Sequence, residues 1–257
     1  MHIDQPGRGQ LVSLEGLNGV GKTYLTGRLV DHLTRGGHPA PVVVEEFSAR
    51  ASDDTDLSRR LLGVLIGAAE GEHFLRGGFP GSETLLLLAI KMHDYEANRA
   101  VLASGRTVIE GRSIHSTAVY QALITHPDDD SAARSYTKDL VVLAGRWRPL
   151  PDLTIVVTDD VDVAVQRAEA RDGRRFTADQ WQLHRRAAGL FEHLAAIDPD
   201  RVRLVDRRDH NTEELVGLIS DWITTAALQP PTTVFDVPPD QLTKTAGTAA
   251  RRLASSP

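Results

Sequence analysis

Leu11-Val12-Ser13-Leu14-Glu15-Gly16-Leu17-Asn18-Gly19-Val20-Gly21-Lys22-Thr23 is the stretch on which the fold turns. Gly16 to Thr23 satisfies G-x-x-x-x-G-K-[ST] at every fixed position. An apolar run leads in and an amphipathic segment leads out, which is the strand–loop–helix context such a loop requires. Gly16, Gly19 and Gly21 let the backbone curl, so that the loop wraps phosphate from Gly16 through Thr23, Asn18 and Val20 included. The N-terminus of the following helix adds partial positive charge. Lys22 is then expected to bridge the β- and γ-phosphates of a nucleotide, and the Thr23 hydroxyl to ligate Mg²⁺. That alone does not separate a kinase from a motor, a switch GTPase or a partitioning ATPase.

On either side of this loop, short β-branched runs alternate with longer helical segments. The strands are expected at Leu11–Glu15, Val42–Glu46, Thr107–Glu110, Thr154–Val157 and Arg201–Val205, each bounded by glycine, proline or charge. The spacing predicts helices near 22–35, 56–69, 83–104, 113–125, 132–145, 161–171, 178–196 and 212–226. Gly36-Gly37 stops the first, and Thr177 with Gln180 three residues on caps the seventh. Strand–helix alternation of this kind gives an α/β fold, a parallel sheet with helices on both faces. After Leu228 the chain becomes rich in Pro, Thr, Ala and Ser without a sustained period. The organisation expected is a core over 1–226 and an extended tail over 227–257.

A chain of 257 residues, 41% hydrophobic and 25% charged, suits one sizeable core with a short appendage. Without cysteine there is no disulfide framework, thiolate metal site or cysteine nucleophile. No apolar run approaches a membrane span or a signal-peptide core, so a cytoplasmic protein is the default. A net charge of −6 gives no global field for nucleic acid. Positive charge is instead local, concentrated in Arg167, Arg171, Arg174, Arg175, Arg185 and Arg186. Taken alone, that run reads as a solvated helix face.

Several further stretches, in order along the chain, resemble thymidylate kinases. Glu15-Gly16 precedes the loop as in that family, and Gly81 to Ala89 is similar to its T-E-L-L-L-F-A helix. Gly105 to Ser113, followed by Ser116 and Tyr120-Gln121, resembles G-x-x-V-I-x-D-R-Y…S…A-Y-Q. Pro151-Asp152-Leu153-Thr154 matches P-D-L-T, and His184-Arg185-Arg186 with Phe191 falls on H-x-R-V…Y. The likeness spans roughly residues 10 to 225.

The resemblance implies a five-stranded P-loop kinase fold with an arginine-rich lid, ATP and Mg²⁺ as cofactors, and dTMP as the first acceptor. The loop holds no arginine, so the resemblance assigns the lid's charge to Arg171, Arg174 or Arg175, with Gly173 as the bend. Arg112 matches the family's phosphate-gripping arginine, and a guanidinium can hold a phosphate bidentately. Glu45 or Glu46, ending the second strand, would hold a sugar hydroxyl or act as a base. Ser116, Tyr120 and Gln121 match positions along the base pocket. Family members are commonly dimers, and the helices near 56–69 and 83–104 are apolar enough to contribute a face.

Three positions depart from the pattern. Asn18 stands where the family has an acidic residue, Gly111 replaces the aspartate before the arginine, and Ile90 or Lys91 falls near a base-reading arginine. Glu110, one place before Gly111, serves as metal ligand only if the strand end bulges, since strand side chains alternate faces. Glu110-Gly111-Arg112-Ser113 then resembles the E-R-S motif of deoxynucleoside kinases. Two alternatives therefore stand beside a monophosphate kinase: a kinase of a nucleoside or other small-molecule hydroxyl, and a nucleotide-binding relative without turnover.

Overall fold

The computed structural model describes residues 8–46, 56–70, 72, 74 and 76–228. Five parallel strands, β1 (Leu11–Glu15), β2 (Val42–Val44), β3 (Val108–Gly111), β4 (Leu153–Thr158) and β5 (Val202–Asp206), form one sheet in the order β2-β3-β1-β4-β5. β1 is central and buried at every residue, which is why it reads as a nearly unbroken apolar run. The helices are α1 (Lys22–Arg35), α2 (Leu57–Ala68), α3 (Pro80–Ala103), α4 (Ile114–Thr125), α5 (Asp130–Gly145), α6 (Val161–Asp172), α7 (Ala178–Ile197) and α8 (Thr212–Leu228).

The connection from β1 to β2 runs toward one edge of the sheet and the later connections run toward the other. Right-handed crossovers then place α1 on one face and the helices between β2 and β5 on the opposite face. The packing agrees: α1 meets α8, whereas α4 meets α5 and α7. The direction reverses between β1 and β3, which opens a crevice at the carboxyl ends of those strands.

Every expected strand and helix is present, with shifts at the ends. α3 starts at Pro80 instead of 83, because proline suits the first helical turn and the Glu83 carboxylate accepts the N–H groups of Gly77 and Phe79. β2 stops at Val44, ahead of Glu45 and Glu46. Gly37, at φ 83°, follows α1, and Thr177 and Gln180 form a reciprocal capping box on α7, a device that contributes about 1 kcal/mol. α8 runs to Leu228, two residues past the expected boundary, and the rest of the expected tail lies outside the described residues. No described helix is long and apolar enough to cross a membrane.

Candidate active site

The loop between β1 and α1 is held by left-handed glycines, Gly16 at φ 123°, Gly19 at 83° and Gly21 at 87°. A Cβ on Gly16 would lie 2.2 Å from the Val157 carbonyl oxygen, and one on Gly19 only 1.8 Å from that of Ala164. Both glycines are fixed by backbone packing as well as by φ. Lys22 opens α1, and its buried Nζ donates to the Leu17 carbonyl at 3.0 Å. Burial lowers this ammonium to about 7, with the Arg112 charge adding to the effect and Glu46 opposing it.

Arg112 directly follows β3 at φ 66°, left-handed for a residue with a side chain, a strain of about 1–3 kcal/mol that the surroundings must impose. Its guanidinium donates to Glu46 Oε2 at 3.2 Å, to Ser116 Oγ at 3.1 Å and to Asn18 Oδ1, and lies over the Tyr120 ring. Glu46 also faces Lys22, 3.4 Å from Oε1 to Nζ. One carboxylate therefore carries the loop lysine on one oxygen and the strand-end arginine on the other. Burial would raise the Glu46 carboxyl, but Arg112 and Lys22 overcome it and hold it at about 2.

Beyond Arg112 opens a cavity of about 410 Å³ at the crevice, walled by Asn18, Glu46, Arg112, Ser116, Tyr120 and Gln121 from the expected set. Phe74 and the buried Lys91 complete its far side, with Phe74 stacked on Tyr120 at a 5.2 Å ring separation. Gln121 accepts from the Thr84 hydroxyl at 2.9 Å. From the lid, Arg171 and Asp172 reach the cavity as a pair 2.7 Å apart, directly before the left-handed Gly173 that ends α6. Arg175 is not brought in: its side chain is 89% exposed and pairs with Glu169. Arg174 lies outside the cavity lining and bonds through its backbone to the Glu169 carbonyl. Glu45 is exposed and lines no part of the cavity.

Glu110 is a correction. The register of β3 on β1 runs unbroken from Val108 to Gly111, so no bulge turns Glu110 toward the loop. Its two oxygens instead accept from Arg148 at 2.8 and 3.0 Å, with both side chains buried. Removing one partner of such a pair costs about 3–5 kcal/mol, which makes Glu110 a structural residue and not a metal ligand. Gly111 also has a local reason. A Cβ there would stand 2.9 Å from Glu46 Cγ and 3.3 Å from the Glu46 nitrogen, so the glycine makes room for Glu46 to reach Arg112.

Two residues escape sequence reasoning. Arg207, just past β5, donates to the Val20 carbonyl at 2.7 Å and approaches Asp159 at 3.6 Å, bracing the loop from outside. Glu15 lies fully buried behind Arg112. Nothing in the pattern marks Arg207, whereas Glu15 directly precedes the loop and is an unusual residue for a buried strand.

The ion pairs of Glu46 predict a pH signature. Its folded carboxyl titrates at about 2, below the ordinary 4.5, so its stabilisation is complete above 4.5 and is lost as pH falls toward 2. The melting-temperature gap between the wild type and Glu46→Gln is expected to close across that window. A gap of constant size would contradict it.

Comparisons with known proteins bear on the family and the fold. The thymidylate kinase family model matches residues 14–219. The thymidylate kinase of Geobacter sulfurreducens is 31% identical over 78% of this chain and 90% of its own length. That of Jannaschia sp. is 34% identical over 76% of this chain and 86% of its own. Among solved structures, the thymidylate kinase of Candida albicans superposes with a TM-score of 0.60 at 17% identity, covering 85% of this chain and 92% of that one, which supports the P-loop kinase fold. With the family model spanning most of the core and the phosphate loop intact, the chain belongs to the thymidylate kinase family and is an ATP-dependent nucleotide kinase.

Proposed function

We propose that this chain transfers the γ-phosphate of ATP to dTMP. The observation that carries the reading is the sharing of Glu46 between Lys22 and Arg112. It sets a donor-side cation and an acceptor-side cation within one carboxylate of each other, as in-line transfer between two phosphates requires. An oxygen of the acceptor's phosphate forms the new bond to the γ-phosphorus, the bond to the β–γ bridging oxygen breaks, and ADP leaves. Lys22 turns from Leu17 and Glu46 to the β- and γ-phosphates, and Arg112 grips the acceptor's phosphate with Arg171 beside it. Tyr120 and Phe74 supply the aromatic wall for the base. Lys91, which only donates hydrogen bonds, suits a keto oxygen there better than an amino group.

Among the described residues no cluster of three His, Asp or Glu could hold a metal ion. Mg²⁺ fits all the same, because it is commonly held by substrate phosphates with few protein ligands. The exposed Thr23 hydroxyl at the start of α1 is the group that would hold it, and the ion would neutralise charge on the phosphates. A homodimer through the exposed apolar side chains of α2 and α3, Leu57, Val64 and Leu85, belongs to the same reading, and sedimentation velocity tests it.

Glu46 favours one second reading. It stays ionised throughout the physiological range and, once Lys22 moves to phosphate, is placed to take a proton from a nucleoside hydroxyl. Ligand-dependent melting separates the two. A larger shift with dTMP than with thymidine is expected. A larger shift with thymidine would transfer the conclusion to a nucleoside kinase.

A further inference from the structure

We infer that Glu15 is a positioning residue for phosphoryl transfer, setting through Ser113 and Ser116 both the backbone and the guanidinium of Arg112. The inference rests on the reading of Arg112 as the grip on the acceptor's phosphate. Glu15 ends β1 and has no exposed surface. Its Oε1 accepts the Ser113 N–H at 2.8 Å, the Ser113 hydroxyl at 2.9 Å and the Ser13 hydroxyl at 2.7 Å, while Oε2 accepts the Ser116 hydroxyl. Ser116 Oγ in turn accepts Arg112 Nη1 at 3.1 Å. The carboxylate therefore acts on Arg112 twice.

The first action is on the backbone. Ser113 follows Arg112 and occupies the N-cap of α4, yet its side chain makes no cap bond, because its hydroxyl is turned to Glu15. Fixing the Ser113 N–H and hydroxyl on one oxygen, with Arg112 N–H bonded to the Leu14 carbonyl at 3.0 Å, ties down both sides of the left-handed Arg112. The second action is on the side chain. Because Ser116 spends its proton on Glu15, its oxygen is left to receive the guanidinium. The start of α4 favours an anion at this point, and the hydrogen bonds together with His115 hold the carboxyl below its ordinary value although burial would raise it.

Glu15→Gln tests this with little change of volume. A glutamine whose oxygen keeps the three donors near Oε1 must turn its NH₂ to Ser116, so the Ser116 proton swings toward Arg112 and repels it. Losing one charge-assisted hydrogen bond is expected to raise the KM for dTMP about ten- to hundredfold, with the KM for ATP little changed. Ser116→Ala keeps the carboxylate but removes both the donor to its Oε2 and the acceptor of Arg112 Nη1, and should reproduce the shift. A crystal structure of Glu15→Gln is expected to show the Arg112 guanidinium drawn away from Ser116 Oγ, with the backbone still held through Ser113. Arg112 unmoved there, or equal loss for ATP and dTMP, would overturn the inference. Arg112→Lys separates the two layers of the argument. If it leaves the KM for dTMP unchanged, the acceptor reading fails, whereas if it raises that KM and Glu15→Gln does not, only the role of Glu15 fails.

Discussion

Replacing Lys22 by alanine is expected to lower kcat by at least about 10²–10³-fold, the usual effect of removing one preorganised donor from developing charge. The reason lies in how the ammonium is held. Nζ is buried between the Leu17 carbonyl and Glu46, so the ammonium is held close to where the γ-phosphate arrives. Alanine also leaves Glu46 to Arg112, so a carboxylate once divided between two cations now competes with the acceptor's phosphate. Both consequences act on turnover. Circular dichroism should show the fold retained, since α1 keeps its other buried side chains, Leu25, Leu29 and Leu33. A variant turning over at the wild-type rate would mean that the loop lysine takes no part in transfer.

Arg112→Ala should act on the other substrate. A bidentate grip supplies two charge-assisted hydrogen bonds of about 1.5–3 kcal/mol each, so kcat/KM for dTMP should fall at least about 10²-fold. The KM for ATP should move far less. Because the Arg112 charge helps to depress Lys22, its loss should also let the lysine ammonium titrate above about 7. Steady-state kinetics with each substrate varied in turn checks the first expectation, and the pH dependence of lysine modification in the empty enzyme checks the second. An equal loss for both substrates would contradict the assignment of Arg112 to the acceptor.

The fold was legible because its strands are short, apolar and punctuated, and because the loop motif is self-contained in sequence. Gly16 to Thr23 needs no distant partner to be read. The acceptor site was legible in part. Arg112, Ser116, Tyr120 and Gln121 follow one another from the end of β3 into α4, and the structure places all four at one cavity. Long-range pairing was the hidden layer. Nothing local indicates that Arg148 will meet Glu110, and that pairing decides which way the carboxylate is used. The same holds for Arg207, whose partner Val20 is 187 residues away. Gly111 looked like a lost aspartate, yet the packing shows it complementing Glu46 across neighbouring strands. The lid arginines were indistinguishable in sequence, and the end of α6 separates them, turning Arg171 to the cavity and Arg175 to solvent.

At issue is transfer of the γ-phosphoryl group from ATP to a monophosphate at this site, with release of ADP. The most direct measurement is ADP release from Mg-ATP with and without dTMP, with Lys22→Ala as the control. Release that depends on dTMP and disappears in the variant is the result expected. ADP formed equally fast without any acceptor, or no turnover on dTMP with turnover on thymidine, would contradict it.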